Sequence, residues 1–375
     1  MEKFNNPIPY MKHQILDEDI EIVNEVLKSE YLTQGPYVEQ VEESMAKLTK
    51  RKFGVMCSNG TAALHLVAEM LNQKTKLKEK NIITTSFTFV ADANFGRYVD
   101  AEIRLADINR KTWTIDPLSI EKLIDRNTLA VVAPHYAGIM CDMELITKIC
   151  KEKNVYLVED ACHAPNASLN SKVAGSYGDI STFSFHATKH IAAGEGGMIC
   201  TDSREESEKL ETLRSHGLPH WSKRTGFGYD INEIAFNYRP SEVSGALAYA
   251  HIQRLDELIN SRIKIANKYN EALNWDFYEK QIIPSGYTHV YHLYPILLPK
   301  NKLRDKCLEY LKDANIFGQI HYPPISKMTG FKKYNSKNPV SEDISSRVIS
   351  IPMFPQLTKK EQEFVIEKLN EFSKN

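Results

Sequence analysis

Between about residues 37 and 202, short apolar runs alternate with helical stretches, and that alternation restricts the architecture more than any other feature of the chain. Phe53-Gly54-Val55-Met56-Cys57, Ala130-Val131-Val132-Ala133 and Val155-Tyr156-Leu157-Val158 have the continuous apolar character of buried strands. Ala62 to Leu71 and Asp142 to Lys153 are helical stretches between them. Strand and helix in alternation give a mainly parallel sheet covered on both faces, an α/β fold. Gly178 to Phe185 and Gly197 to Thr201 read as two further strands separated by a loop. Pro240 to Leu273 reads as one long helical region, with its proline near the start, where a missing N–H does no harm.

Past about residue 275 the pattern changes. Tyr294 to Leu298 is strand-like, Lys302 to Ala314 helical, and Gln319 to Tyr322 strand-like again. Thr358 with Glu361 is a capping-box signal for a last helix to about residue 373. A chain of 375 residues suits a large domain plus a small one. The expected division is an N-terminal segment, 1–30, packing with the small domain; a large domain, 31–250; and a smaller C-terminal α+β domain, 251–375.

Charge and cysteine content exclude several classes of function. Lys+Arg 47 against Asp+Glu 48 leaves a net charge of −1, with no basic excess to meet nucleic acid or an anionic membrane. Met1 to Asn6 lacks the basic and apolar regions of a secretory signal, and no apolar run is long enough to span a bilayer. A cytoplasmic location is therefore expected. The six cysteines are scattered without a CxxC pair, so buried reduced thiols are expected rather than a metal site.

Four stretches fit one cofactor, and each has a plainer reading. Ser58-Asn59-Gly60-Thr61-Ala62-Ala63-Leu64 is a strand, a small-residue turn and a helix start, which suits a phosphate or is simply a turn and a cap. Asp160 follows an apolar strand at the end where α/β ligands bind; it either holds a pyridinium nitrogen protonated or caps a helix. Lys189 lies in a Gly/Ala-rich loop between two apolar strands, either a desolvated Schiff-base amine or a surface lysine. Ser184, five residues earlier, could reach a phosphate oxygen. Phe89 either stacks on a flat heterocycle or belongs to the core.

The order of these segments continues through Tyr31-Leu32-Thr33-Gln34-Gly35-Pro36, Gly194-Glu195-Gly196-Gly197, Arg214-Ser215-His216-Gly217, Asn237-Tyr238-Arg239, His321-Tyr322-Pro323-Pro324-Ile325 and Ser350-Ile351-Pro352. Taken together over nearly the whole chain, it resembles the sugar-nucleotide aminotransferases of the DegT/DnrJ group, which have the fold-type I pyridoxal-phosphate (PLP) aminotransferase architecture. The resemblance implies a large αβα domain with a seven-stranded-type, mainly parallel sheet. It implies PLP as cofactor, with Lys189 as the catalytic amine and Asp160 on the pyridine nitrogen. His163 would contact the cofactor's 3′-oxygen, Phe89 would stack on its ring, and Gly60, Thr61, Ala62 and Ser184 would surround the phosphate. Asn237 would reach the phosphate bound by a neighbouring subunit, which implies a homodimer with shared sites.

Tyr31, Leu32, His216, Arg239, His321 and Tyr322 would lie near a nucleotide-linked keto sugar, with L-glutamate as amino donor. Within the group the chain looks most like the transaminases of UDP-linked 4-keto-6-deoxy-N-acetylhexosamines. The shared features are Tyr31 to Gly35, Ser184-Phe185-His186-Ala187 and His292-Leu293-Tyr294-Pro295-Ile296. It departs at Thr188, at His190, at Tyr238 to Glu242 and in a basic, aromatic insert around His220 to Arg224. Arg239 and the Lys223-Arg224 pair are the candidates to meet a diphosphate. Amination at C3 or C4, and UDP, GDP or dTDP as carrier, stay open. A PLP-dependent sugar dehydratase, an amino-acid enzyme and a non-catalytic regulator are the competing readings; intact Lys189 and Asp160 favour transamination.

Overall fold

A computed structural model describes residues 2–218, 230–231, 233–334 and 336–374. Two helices lead in, α1 (Asp17–Lys28) and α2 (Pro36–Thr49). Strands and helices then alternate as β1 (Phe53–Cys57), α3 (Gly60–Lys74), β2 (Asn81–Thr85), α4 (Val90–Tyr98), β3 (Glu102–Ala106), α5 (Pro117–Leu123), β4 (Thr128–Pro134), α6 (Met143–Lys153) and β5 (Tyr156–Asp160). A short hairpin of β6 (Ser168–Leu169) and β7 (Lys172–Val173) precedes β8 (Ile180–Ser184), β9 (Gly197–Thr201) and α7 (Arg204–Arg214). Then follow α8 (Glu242–Gln253), α9 (Leu255–Ala272), β10 (Glu279–Lys280), β11 (Tyr294–Leu297), α10 (Asn301–Asp313), α11 (Pro339–Arg347), β12 (Val348–Ile351) and α12 (Lys359–Phe372).

The main sheet has seven strands in the order β1-β9-β8-β5-β4-β2-β3. All pairings are parallel except those of β9, which runs antiparallel to both of its neighbours. Helical crossovers cover both faces, so all seven residues of β4 are buried. Successive strand residues enter opposite cores, as the pleat requires. Met56, Val131 and Leu157 face a core shared with α2 and α6, whereas Val55, Ala130, Val132 and Val158 face one shared with α3 and α4. A third core forms around β11, β12, α10 and α12. The N-terminal residues join it: Ile8 exchanges backbone bonds with Asn315 and Phe317, and Tyr10 accepts one from Met353. Helix α1 instead packs on α8.

Two expected elements differ. The helical region from Pro240 is broken at Arg254, whose φ of −115° and ψ of 20° end α8 and start α9. There the Arg254 guanidinium leaves the helix line to bind Asp19 of α1 and the Gln14 carbonyl, which fixes the bend. Gln319 to Tyr322 is not a strand. Gln319 makes one bridge with Ser350, and Pro323-Pro324, which have no N–H, end any further ladder. The Thr358–Glu361 capping box is present at the start of α12. Among the described residues no helix is long and apolar enough to cross a membrane.

Candidate active site

The register of the main sheet places Pro134 of β4 beside Asp160 of β5, and Asp160 beside Thr182 of β8. The carboxyl ends of these strands therefore open onto one edge of the sheet, where doubly wound folds bind ligands. A cavity of about 800 Å³ lies there. Among the expected site residues it is lined by Gly60, Thr61, Ala62, Phe89, Asp160, His163, Ser184, Lys189, His321 and Tyr322. Tyr31, Leu32, His216, Asn237 and Arg239 do not line it. Lys223 and Arg224 lie outside the described residues.

One end of the cavity is built for an anion. The Asn59 side chain caps α3 by accepting from the Ala62 amide at 2.8 Å, and the Asn59 carbonyl takes the Ala63 amide. The amides of Gly60 and Thr61 are left with no protein acceptor among the described residues, as at any helix start. Two glycines bring this turn against the sheet. A Cβ on Gly60 would sit 2.8 Å from the Ser184 Cβ, and one on Gly197 would sit 2.2 Å from the Asn59 carbonyl oxygen. Ser184 therefore lies against the start of α3 and lines the cavity beside the free amides, a set of donors that suits a phosphate.

The middle of the cavity carries a carboxylate and an imidazole. Asp160 is 9% exposed, and its Oδ1 accepts from the Cys162 amide at 2.9 Å. Its neighbour Glu159 points the other way. There it accepts from His135 and from the amides of Gly175, Tyr177 and Gly178, which clamp the end of β5. The Ala137 amide donates to Nδ1 of His163, so the proton of the neutral ring is on Nε2, which meets the Tyr322 hydroxyl at 3.1 Å. Burial, then Lys189, hold His163 well below the usual imidazole range. Phe89, at the start of α4, stands 53% exposed at the rim, its ring centre 6.0 Å from that of Tyr322.

Lys189 completes the set. Desolvation lowers its ammonium below the ordinary lysine value, while Cys162, Asp160 and Asp92 offset this. Its Nζ is 3.4 Å from Nε2 of His292, whose ring packs 4.2 Å from that of His163. His292, Tyr10, His65, Tyr98 and Tyr238 also line the cavity and were not among the expected site residues. Their signal in the sequence is faint: an aromatic or histidine one helical turn from a small-residue motif reads as core until the fold is known. His65, one turn after Thr61, bonds the Tyr238 hydroxyl at 3.0 Å and stacks on Tyr98.

Free helix amides near a serine, a carboxylate, an imidazole N–H and an amine within the same walls form a set of groups that could hold PLP. Among the described residues no group of three His, Cys, Asp or Glu side chains could hold a metal ion.

Residues 13–370 match the family model described as the DegT/DnrJ/EryC1/StrS aminotransferase family. The chain is 32% identical, over 95% of both chains, to a UDP-4-amino-4,6-dideoxy-N-acetyl-beta-L-altrosamine transaminase of Campylobacter jejuni. Among solved structures it is similar to PseC of Helicobacter pylori, an aminotransferase of pseudaminic acid biosynthesis. That likeness has a TM-score of 0.92 at 28% identity and covers 98% of this chain and 100% of PseC. It also superposes on Spr1654 of Streptococcus pneumoniae in its PLP form, with a TM-score of 0.91 at 22% identity over 98% and 99% of the two chains. At that identity the last likeness speaks for the fold alone.

Proposed function

This chain belongs to the DegT/DnrJ/EryC1/StrS aminotransferase family, and on that premise we propose that it is a PLP-dependent transaminase of a nucleotide-linked sugar. The substrate is a 4-keto-6-deoxy sugar carried by UDP, the product its 4-amino counterpart, and the amino donor L-glutamate. The product feeds the assembly of a surface polysaccharide or glycan. The observation that carries this reading is the meeting of Lys189, Asp160 and the start of α3 in one cavity. The Campylobacter relative supports the choice of a UDP-linked sugar.

PLP, when bound, supplies the electron sink that lets a proton leave the carbon next to nitrogen. The chain's residues do the rest. Backbone amides of Gly60 and Thr61 with the Ser184 hydroxyl anchor the phosphate. Asp160 holds a proton on the ring nitrogen, because an adjacent negative charge favours the cationic ring. His163 donates from Nε2 toward the ring oxygen, and Phe89 covers a ring face. Lys189 Nζ is the proton carrier: it takes a proton from the donor's Cα and, when the keto sugar follows, returns one to the sugar carbon. Because the keto acid formed from the donor leaves before the keto sugar binds, the kinetics are ping-pong, and the same acid–base group serves both halves. His321 and Tyr322, which line the same cavity, orient the sugar.

Incubation with PLP, nitrogen-15-labelled L-glutamate and a UDP-linked 4-keto-6-deoxy-N-acetylhexosamine tests this by mass spectrometry. The proposal expects the labelled nitrogen in the sugar nucleotide. Label that moves only to a 3-keto, GDP-linked or dTDP-linked sugar corrects the substrate, and label that moves to no sugar defeats the proposal.

A further inference from the structure

A second carboxyl lies beside Asp160 without lining the cavity. Asp92, in the first turn of α4, is 1% exposed and does not line the cavity. Its Oδ2 accepts from the Thr88 hydroxyl at 2.6 Å. Its Oδ1 is buried with no hydrogen-bond donor among the described residues. The side chain is in hydrogen-bonding range of Asp160, and the other ionisable groups that bear on this pair are Lys189, Cys162 and Tyr322. Asp160 already receives the Cys162 amide.

Two carboxylates in contact at a buried site do not both ionise. Asp160 has an amide donor and lines the cavity together with Lys189, whereas Asp92 has one hydroxyl and a bare oxygen. Proton placement follows from that asymmetry. Burial first, and then the Asp160 charge, push the Asp92 carboxyl well above the usual carboxylate range.

We infer that Asp92 is a positioning residue that carries the one proton of a buried carboxyl pair and donates it, from its otherwise unpartnered Oδ1, to Asp160. The inference rests on the reading of Asp160 as partner of the cofactor's ring nitrogen. A carboxylate that accepts this bond is less basic and is fixed in orientation. Asp92 thereby sets how strongly Asp160 holds the ring-nitrogen proton without touching cofactor or substrate. An ionised Asp92 would do the opposite, adding a second negative charge beside the first.

The test compares holoenzymes of the wild type, Asp92→Asn and Asp92→Leu. The Asn side chain keeps a neutral donor at this place, and the Leu side chain keeps volume without one. The readout is the pH midpoint at which the visible band of bound PLP changes. We expect the Asn variant to keep the wild-type midpoint to within about 0.3 unit. We expect the Leu variant to move it up by about one unit, because the undiminished Asp160 charge favours the protonated chromophore. The Leu variant should also lose kcat with little change in KM for glutamate, and the Asn variant should restore it. An Asn variant that shifts as far as the Leu variant, or a Leu variant that titrates like wild type, overturns the inference. If the Leu variant does not fold, Asp92→Ala takes its place. A wild-type protein with no PLP band at all defeats the underlying reading instead.

Discussion

Histidines crowd Lys189, and burial keeps them neutral. His163, His190 and His292 all lie well below the usual imidazole range, desolvation being the first cause in each. Burial and then Lys189 lower His321 to about 4, and burial lowers nearby His289 to about 3 from an ordinary 6.5. A neutral wall suits Lys189, since a cation there would raise the cost of protonating it. The same shifts govern acid stability. Above 6.5 His289 is neutral whether the chain is folded or not, and its burial costs nothing extra. As pH falls from 6.5 toward about 3, only the unfolded chain takes up the proton, so the folded state loses about 1.4 kcal/mol per pH unit for this one group. Thermal unfolding measured over that range should show His289→Gln falling less steeply with acid than wild type; parallel curves would contradict the shift. In the sequence Asp160 ends an apolar strand and Lys189 lies in the small-residue loop between two others, and the order of motifs over the whole chain singles both out; the fold brings them into one cavity. Asp92 could not be picked from the sequence, because its importance comes from a neighbour 68 positions away, and sequence shows no carboxyl pair. Nor could His292, which reaches Lys189 only through the loop before β11.

The elements that shape the site owe their fit to a few close approaches. Gly60 lets the start of α3 touch β8, so Gly60→Ala should push the turn away from Ser184. We expect PLP binding to weaken by about 10-fold or more, with helix content unchanged, as the lost phosphate contacts cost about 1.5–3 kcal/mol; titration of the cofactor-free protein with PLP, followed by absorbance, measures it, and unchanged affinity would remove α3 from the phosphate site. A comparable device sits at α2, where the buried Glu242 carboxylate accepts the amides of Gly35, Tyr37 and Val38. That explains two motifs as one structure, Gly35-Pro36 and Ser241-Glu242, which sequence shows only as separate words. Arg214 has an equally structural role, bound to Glu42 and the Met56 carbonyl. Strands β1 and β9 were legible to the residue, because apolar runs bounded by Gly and Ser have sharp ends. The break at Arg254 was not, since the ion pair with Asp19 that makes it is a tertiary contact.

At the scale of the whole molecule, Arg262 joins the parts. From α9 it donates to the carbonyls of Tyr291, His292 and Met353 and reaches the Met11 sulfur. It thereby ties the wall that carries His292 to the N-terminal segment and to the residues after β12. We propose a division near residues 30 and 250, and a homodimer as the active species. Asn237 is the residue at which the dimer can be tested. It is exposed on an extended segment whose neighbours Phe236 and Tyr238 turn inward onto His65, and Tyr31, Leu32 and Phe89 are exposed apolar side chains. If Asn237 serves the partner's phosphate, mixing Asn237→Ala with Lys189→Ala protein under exchange conditions should restore activity above the sum of the two. No restoration in verified mixed dimers would place Asn237 in its own subunit's site or in none. The most direct test of the central claim is the absorbance spectrum of the purified protein reconstituted with PLP, taken before and after L-glutamate and then a UDP-linked 4-keto-6-deoxy sugar. The account predicts a visible band that glutamate abolishes and the keto sugar restores. A protein that takes up no PLP, or whose band glutamate leaves unchanged, would contradict it.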